Sequence, residues 1–597
     1  MHTTASVLLQ TLADAGVTHA FVNWGNDHCA ILEDLERQRV ERGDTALAIV
    51  TCPNEMVALS AAQAFAQVAR RPAAVIVHVD VGTQALAGAV HNVDKGQTPV
   101  IIFAGASPFT VDGELKGSKN EWPMFPQDAP DQSAVVRQFM RFTGQIQSGK
   151  NAAKIIMRGF QFATSGPTGP VYLWARREIL EEVVDQSAFL TKSQVAKWPC
   201  VEPSALSPLA ARTISEALLD ATFPMVITGT SGRNPGTVPL LADLSKFLAI
   251  SVFDSCPQAL NIPYSHPYLI RSSFEGHNPH LQHADVVLIL DAVVPWIPET
   301  GTRLSNSARV FVIAADPLQR TTGYAHADAE MVCAADAEVA LTQLLELTAL
   351  AVKRVGEPYQ ERVQVRAIRA MGLRAEWLGA LATAEKALSP NGTSPTAAFV
   401  LATLRNAVQA QTPSHGEKVL WLNEGISHCG HVWEHIKPEV PGNMIMSGGA
   451  SLGWSLPAGV GSRLGAKATG KEYELIAAVM GDGCFLFGIP STSFWMARRY
   501  ETPFLTIILN NGGWASPKHS MVSMHPDGHG SKASMRQLTV GFGPEMPDYA
   551  GIATAAGGAW GRRVHAATEL KATIEEAIRV VIDEKRSAVV DCIIDEI

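Results

Sequence analysis

Cysteine is scarce in this chain: there are eight in 597 residues, and no two form a C-x-x-C pair. That excludes a disulfide framework and leaves no zinc knuckle in view. No stretch approaches the ~20 consecutive apolar residues that a membrane-spanning helix needs. Met1 to Ala20 lacks a basic start followed by a continuous apolar run, so no signal peptide is expected. A basic surplus is also absent. Lys and Arg number 48 against 57 Asp and Glu, for a formal net charge of −9 and a pI near 6.1. The chain therefore has no electrostatic footprint for nucleic acid or an anionic membrane. Its densest basic run, Arg362 to Arg374, reads as a solvated helix face. A cytoplasmic protein acting on small molecules, with no nucleic-acid or membrane partner, is the expectation.

What is present is a regular alternation of strand-like and helix-like segments. At ~150 residues per domain the length calls for three or four domains, and the pattern favours three. Short Val- and Ile-rich runs at 20–23, 47–51, 73–79 and 99–104 are separated by Ala-rich stretches such as Met56–Arg70. Similar runs recur at 224–228, 286–290 and 310–314, and again at 418–422, 475–480, 504–509 and 588–593. Continuous apolar strands alternating with helices imply parallel sheets covered on both faces. The expected fold class is therefore α/β, with three doubly wound parallel-sheet domains at 1–185, 200–350 and 390–597. Leu180–Pro203 and Ala351–Pro390 read as connectors. The first and third blocks echo each other: "QTPVIIFAG" at 97–105 matches "ETPFLTIILNN" at 501–511.

The strongest chemical signal is "MGDGCFLFG" at 480–488 followed by "LNNGGW" at 509–514. Asp482 and Asn510–Asn511 each sit just beyond a buried strand, where parallel sheets bind ligands. An acidic and an amide oxygen would thus face one point, as magnesium prefers, and the glycines let backbone N–H groups approach a diphosphate. This pair of turns resembles the signature of thiamine-diphosphate-dependent enzymes of the acetolactate synthase, benzoylformate decarboxylase and pyruvate decarboxylase family. The separation, 511 − 482 = 29 residues, is slightly longer than the usual family spacing, and "GIP" at 488–490 marks the insertion.

The resemblance covers nearly the whole chain, in the order pyrimidine-binding, central and diphosphate-binding domain. It implies Mg2+ held by Asp482, the Asn511 side chain and the Gly513 carbonyl. It places Gly481, Gly483, Cys484, Asn511, Gly513 and Trp514 around thiamine diphosphate, and Glu424 and Gly425 of "NEGIS" in the same cleft. Leu452 of "SGGASLGWSLPAG" is implied as the bulky residue over which the cofactor bends. Glu55, opening an Ala-rich helix, is implied as the carboxylate that activates the aminopyrimidine. On the substrate side the resemblance points to His78, to Asn26 and His28 of "NWGNDHCAIL", and to His266 of "SHPYL". The His-rich stretch 514–534 reads as a substrate loop; Pro526, Gly528 and Gly530 argue against a zinc-binding helix through His525 and His529. FAD in the central domain is left undecided, because "VITGTSGRNPG" is not G-x-G-x-x-G. The implied activity is cleavage or formation of a carbon–carbon bond beside the carbonyl of a 2-oxo acid or related compound, in a homodimer or homotetramer with the active site between subunits. A 2-hydroxyacyl thioester lyase or synthase, or a non-catalytic cofactor-binding homologue, are the alternatives.

Overall fold

The computed structural model describes residues 1–319, 328–355 and 357–594. Three six-stranded sheets, parallel throughout, organise them. The first comprises β1 (His19–Val22), β2 (Ala48–Thr51), β3 (Ala73–Val77), β4 (Val100–Ala106), β5 (Phe142–Ile146) and β6 (Val171–Arg176), in the order β2-β1-β3-β4-β6-β5. The second comprises β7 (Pro224–Thr228), β8 (Ser251–Ser255), β9 (Leu269–Ser273), β10 (Val286–Leu290), β11 (Arg309–Ala314) and β12 (Met331–Ala334), in the order β9-β8-β7-β10-β11-β12. The third comprises β13 (Val419–Glu424), β14 (Met444–Ile445), β15 (Leu475–Gly481), β16 (Leu505–Asn510), β17 (Trp560–Val564) and β18 (Ala588–Ile593), in the order β14-β13-β15-β16-β18-β17. Inner strands such as β3 (AAVIV) and β10 (VVLIL) are buried at every residue, because helices cover both faces.

Counted along each chain segment, the first and third sheets share one strand order, so the sequence echo between them is a repeat of topology. In both, the order reverses between the first and third strands. Such a switch point leaves a crevice at the carboxyl edge where ligands of α/β sheets bind. The second sheet has the order of a dinucleotide-binding fold.

Helices α1 (Glu55–Ala69) and α2 (Val79–Lys95) cover the first sheet, and α3 (Pro208–Asp220), α4 (Thr237–Leu248) and α5 (Glu357–Ala384) belong with the second. The third carries α6 (Cys429–Ile436), α7 (Ser455–Thr469), α8 (Asp482–Phe487) and α9 (Ala515–Met524). Helices α1 and α7 pack so closely that a Cβ on Gly461 would fall 1.9 Å from the Ala61 carbonyl oxygen. Phe65 and Val68 share one core with Leu456, Val460 and Phe504, so the first and third blocks are joined through apolar packing. Gln63 and Gln67 reinforce the joint by donating to the Ser447 and Met446 carbonyls at 2.7 and 3.0 Å.

The stretch read as a connector at 351–390 is largely α5, whose Tyr359, Ala370 and Trp377 pack into the second block. Its basic run is not wholly solvated, contrary to expectation. Arg366 is 2% exposed and donates to the Leu219, Ala221 and Leu248 carbonyls. These lie at the carboxyl ends of α3 and α4, whose last carbonyls have no partner within their own helices. One guanidinium with five donors serves both ends.

Candidate active site

At the carboxyl edge of the first sheet, the loop after β1 and the start of α2 meet across the switch point. Asp27, 1% exposed, places Oδ1 2.6 Å from His78 Nδ1, and its Oδ2 accepts from the Val79 N–H at 3.2 Å. Gly25 makes the approach possible, since a Cβ there would lie 2.0 Å from His78 Nδ1. Val79 has φ of +35°, a strained setting for a β-branched residue. Strain of this kind persists only where surrounding contacts hold it, and it clusters at functional sites. Burial pulls the His78 pKa down, but Asp27 outweighs it and holds the imidazole above the usual histidine value.

His28 stands behind this pair. It is fully buried, its Nδ1 accepts from the Gly25 N–H at 3.0 Å, and burial lowers its pKa, which keeps it neutral. Asn26 lies at the rim and donates to Glu121 at 2.9 Å. Glu55 begins α1, but the helix cap is Asn54, whose side chain accepts from the Val57 N–H. Glu55 is thus not needed as a cap, and its Oε1 accepts from Asn23 Nδ2 at 2.9 Å. Glu55, Asn23, Asp27 and His78 therefore share one edge. Asp27 was not found by sequence reasoning. The only signal for it was an acid within a loop already singled out.

The third sheet presents a second cluster at the equivalent edge. Asp482, the first residue of α8, is 2% exposed; Oδ1 accepts from the Gly483 N–H at 2.7 Å, while Oδ2 is buried without a partner. Burial pushes its pKa up to about 7, with the Gly483, Gly512 and Gly513 N–H groups working in the opposite direction. The two asparagines after β16 have separate tasks. Asn510 donates to Asp591 at 2.8 Å and accepts from the Gly512 N–H, whereas Asn511 Oδ1 is buried and unpartnered. A buried carboxylate calls for a compensating cation. Asp482, Asn511 and the Gly513 carbonyl are hard oxygen donors of the kind magnesium takes. Among the described residues there is no cluster of three His, Cys, Asp or Glu able to hold a metal. Trp514, 40% exposed, stacks edge-on against Phe542 and covers Gly483.

The neighbouring loops are fixed by hydrogen bonds. Glu424, expected to line the cofactor cleft, is 3% exposed, and its carboxylate accepts from the Gly453, Trp454 and Ser455 N–H groups at 2.6–2.9 Å and from the Ser455 hydroxyl at 2.6 Å. It anchors the start of α7, so its role here is to hold the loop carrying Leu452. From the other side Asn92 of α2 bonds both the N–H and the carbonyl of Ser451. Leu452, between these two anchors, packs on the shared core. Cys484 is buried in the first turn of α8, and Gly481 and Gly425 lie side by side. His428, which sequence reasoning missed, follows Gly425. It is 9% exposed, neither ring nitrogen has a partner, and burial lowers its pKa to about 4. A buried imidazole in that state offers one donor and one acceptor to a ligand.

His266 is not brought to either cluster. Its Nε2 meets the Ala242 carbonyl at 3.1 Å and its Nδ1 accepts from the Tyr268 N–H, so backbone groups of the second block use both nitrogens. A cavity of about 880 Å³ opens at the carboxyl edge of the second sheet, lined by Lys95, Arg141, Thr230, Arg233, Cys256 and Asp316 among others. No helix of the described residues is long and apolar enough to cross a membrane.

Comparison with known proteins agrees with this arrangement. Residues 2–135 match the thiamine pyrophosphate enzyme N-terminal TPP binding domain, and residues 426–592 match the C-terminal TPP binding domain of the same enzymes. The chain is 23% identical to benzoylformate decarboxylase of Pseudomonas aeruginosa over 539 residues, covering 86% of this chain and 87% of that one. It is 21% identical to the probable acetolactate synthase large subunit of Methanocaldococcus jannaschii, covering 90% and 84%. Its fold matches the thiamine diphosphate-dependent 4-hydroxybenzoylformate decarboxylase of Rhodococcus jostii RHA1 with a TM-score of 0.74 at 18% identity, covering 100% of both chains. The two matched domains hold the two clusters between them, and the chain belongs to the thiamine pyrophosphate enzyme family.

Proposed function

We propose that this protein breaks or forms the carbon–carbon bond beside the carbonyl of a 2-oxo acid, with thiamine diphosphate held through Mg2+ by Asp482, Asn511 and the Gly513 carbonyl. The observation that carries this reading is the pair of buried, unpartnered oxygens, Asp482 Oδ2 and Asn511 Oδ1, at the carboxyl ends of the adjacent strands β15 and β16. When bound, the cofactor supplies the electron sink that such a cleavage needs. The protein supplies positions and protons. The Glu55 carboxyl would hydrogen-bond the cofactor's aminopyrimidine, and His78, oriented by Asp27, would donate to the substrate's oxygen atoms. Leu452 would supply the bulky apolar surface beneath the cofactor, and Gly481, Gly483, Cys484, Trp514 and His428 would hold its diphosphate end. The Glu55 and Asp482 clusters of two copies of the chain combine into each site, in a dimer or tetramer, as the family resemblance implies.

Decarboxylation is favoured as one half of the reaction by the Asp27–His78 pair, which suits a carboxylate-bearing substrate, and by the decarboxylase relatives. Purified protein with thiamine diphosphate and Mg2+, offered a panel of aliphatic and aromatic 2-oxo acids, should release carbon dioxide together with aldehydes or acyloins. If the cofactor binds yet no 2-oxo acid turns over, the thioester lyase reading takes its place.

A further inference from the structure

A carboxylate stands in the interior of the third sheet. Asp591 belongs to β18 (AVVDCI), which lies between β16 and β17; it is fully buried, as are its strand neighbours Val589, Val590 and Cys592. Two side chains meet it. Arg563, its register partner on β17, donates from Nε to Oδ2 at 2.6 Å and from Nη2 to the Pro547 carbonyl at 2.6 Å. Asn510, the last residue of β16, donates from Nδ2 to Oδ1 at 2.8 Å. Ile508 pairs with Asp591 in register, so Asn510, two residues on, lies on the same face. Arg563, Asp591 and Asn510 thus form one row across three strands. The row ends at the loop after β16, where Asn510 Oδ1 accepts from the Gly512 N–H at 3.1 Å. The Gly512 carbonyl accepts from the Phe542 N–H at 2.7 Å, so both backbone groups of Gly512 are tied.

We infer that Asp591 is a positioning residue for the metal site: it orients the Asn510 amide, and that amide holds Gly512, which keeps the Asn511 side chain and the Gly513 carbonyl on either side of it in place. This rests on the proposed assignment of those two groups to Mg2+. An ionised carboxylate only accepts hydrogen bonds, whereas an amide has a donor end and an acceptor end. Asp591 therefore draws the NH2 of Asn510 toward β18 and turns its oxygen to the Gly512 N–H. Arg563 compensates the buried charge. Stability alone is a poor account of this row, because apolar residues of similar size often replace a buried ion pair without loss. Groups behind the direct ligands of a metal orient those ligands, and their removal typically costs 10–100-fold in metal affinity.

The test is calorimetric titration of thiamine diphosphate into EDTA-stripped full-length protein, with either Mg2+ or Ca2+ restored. Arg563→Met with Asp591→Leu removes the ion pair and the acceptor for Asn510; binding with Mg2+ should weaken roughly 10–100-fold. Binding with Ca2+ should weaken less, since Mg2+ demands near-ideal octahedral geometry and Ca2+ does not. Arg563→Met with Asp591→Asn also removes the ion pair but keeps an acceptor, and should recover most of the loss. If the Leu pair does not fold, Asn510→Ala, which leaves the ion pair intact, should show the same selective loss. Wild-type affinity with Mg2+ in the Leu pair or in Asn510→Ala overturns the inference. So does an equal loss with both ions, or a loss in the Asn pair as large as in the Leu pair. Wild-type protein that binds thiamine diphosphate without either ion contradicts the proposed metal site and the inference with it, whereas wild-type behaviour in the variants contradicts the inference alone.

Discussion

Two residues at the first-sheet edge make separable predictions. Glu55→Gln keeps the size and the hydrogen bond to Asn23 but loses the titratable carboxyl. Thiamine diphosphate binding should fall only modestly, while proton exchange at its thiazolium carbon, followed by NMR in deuterated water after acid quench, should slow by ~10²–10⁴-fold. An exchange rate equal to the wild type would remove Glu55 from its assigned role. His78→Ala should spare cofactor affinity and lower kcat by a similar ~10²–10⁴-fold; full turnover in the mutant would make the Asp27–His78 pair structural. Glu55, His78, Asp482 and Asn511 were legible in the sequence because each falls at a strand end inside a motif. Asp27 and His428 were not, since what singles them out is burial beside groups distant in the chain or the absence of any partner. Glu424 was legible as a strand-end acid, but its work in anchoring α7 depends on where that helix begins.

Among the elements, the closest approach is between α1 and α7. Gly461→Leu would drive a side chain into the Ala61 backbone. Overpacking of this kind costs about 1–3 kcal/mol and more when backbone must move. The variant should lose stability in chemical denaturation and cofactor affinity together, because the Leu452 loop hangs from the start of α7. Unchanged stability would mean that the two helices do not meet as described. A second clamp joins α5 to the third sheet. Glu385 lies just beyond α5 and binds Arg405 at 2.9 Å, Lys437 at 2.8 Å and His435 at 3.1 Å. Burial would raise its pKa, but Arg405, Lys437 and His435 outweigh that and hold it down at about 2. A carboxyl depressed in the folded state contributes stability above its unfolded pKa, near 4.3, and loses it as pH falls through the folded value. Glu385→Gln should therefore lower Tm at pH 7, and its difference from the wild type should shrink between about pH 4 and pH 2. A difference independent of pH would contradict the ionic role. Eleven of the eighteen strands could be read from their apolar runs; β5, β6, β8, β9, β12, β14 and β17 could not, and edge strands such as β5 (FTGQI) and β17 (WGRRV) carry polar residues that hide them. Arg366 could not, because only the packed ends of α3 and α4 reveal carbonyls in need of a donor.

For the whole molecule, the recurrence of one strand order in the first and third sheets gives two crevices with different chemistry, one acidic and imidazole-bearing, the other lined by oxygen donors. The sequence echo made that repeat visible, but how α1 locks against α7 depended on small residues whose packing no motif records. The central claim is that the third-sheet crevice holds thiamine diphosphate through a metal on Asp482. Calorimetric titration of thiamine diphosphate into protein first dialysed against EDTA, with and without Mg2+, tests it most directly. Wild-type protein should bind only when Mg2+ is restored, and Asp482→Ala, folded by circular dichroism, should bind far more weakly under the same conditions. Metal-independent binding, or wild-type affinity in Asp482→Ala, would contradict the account.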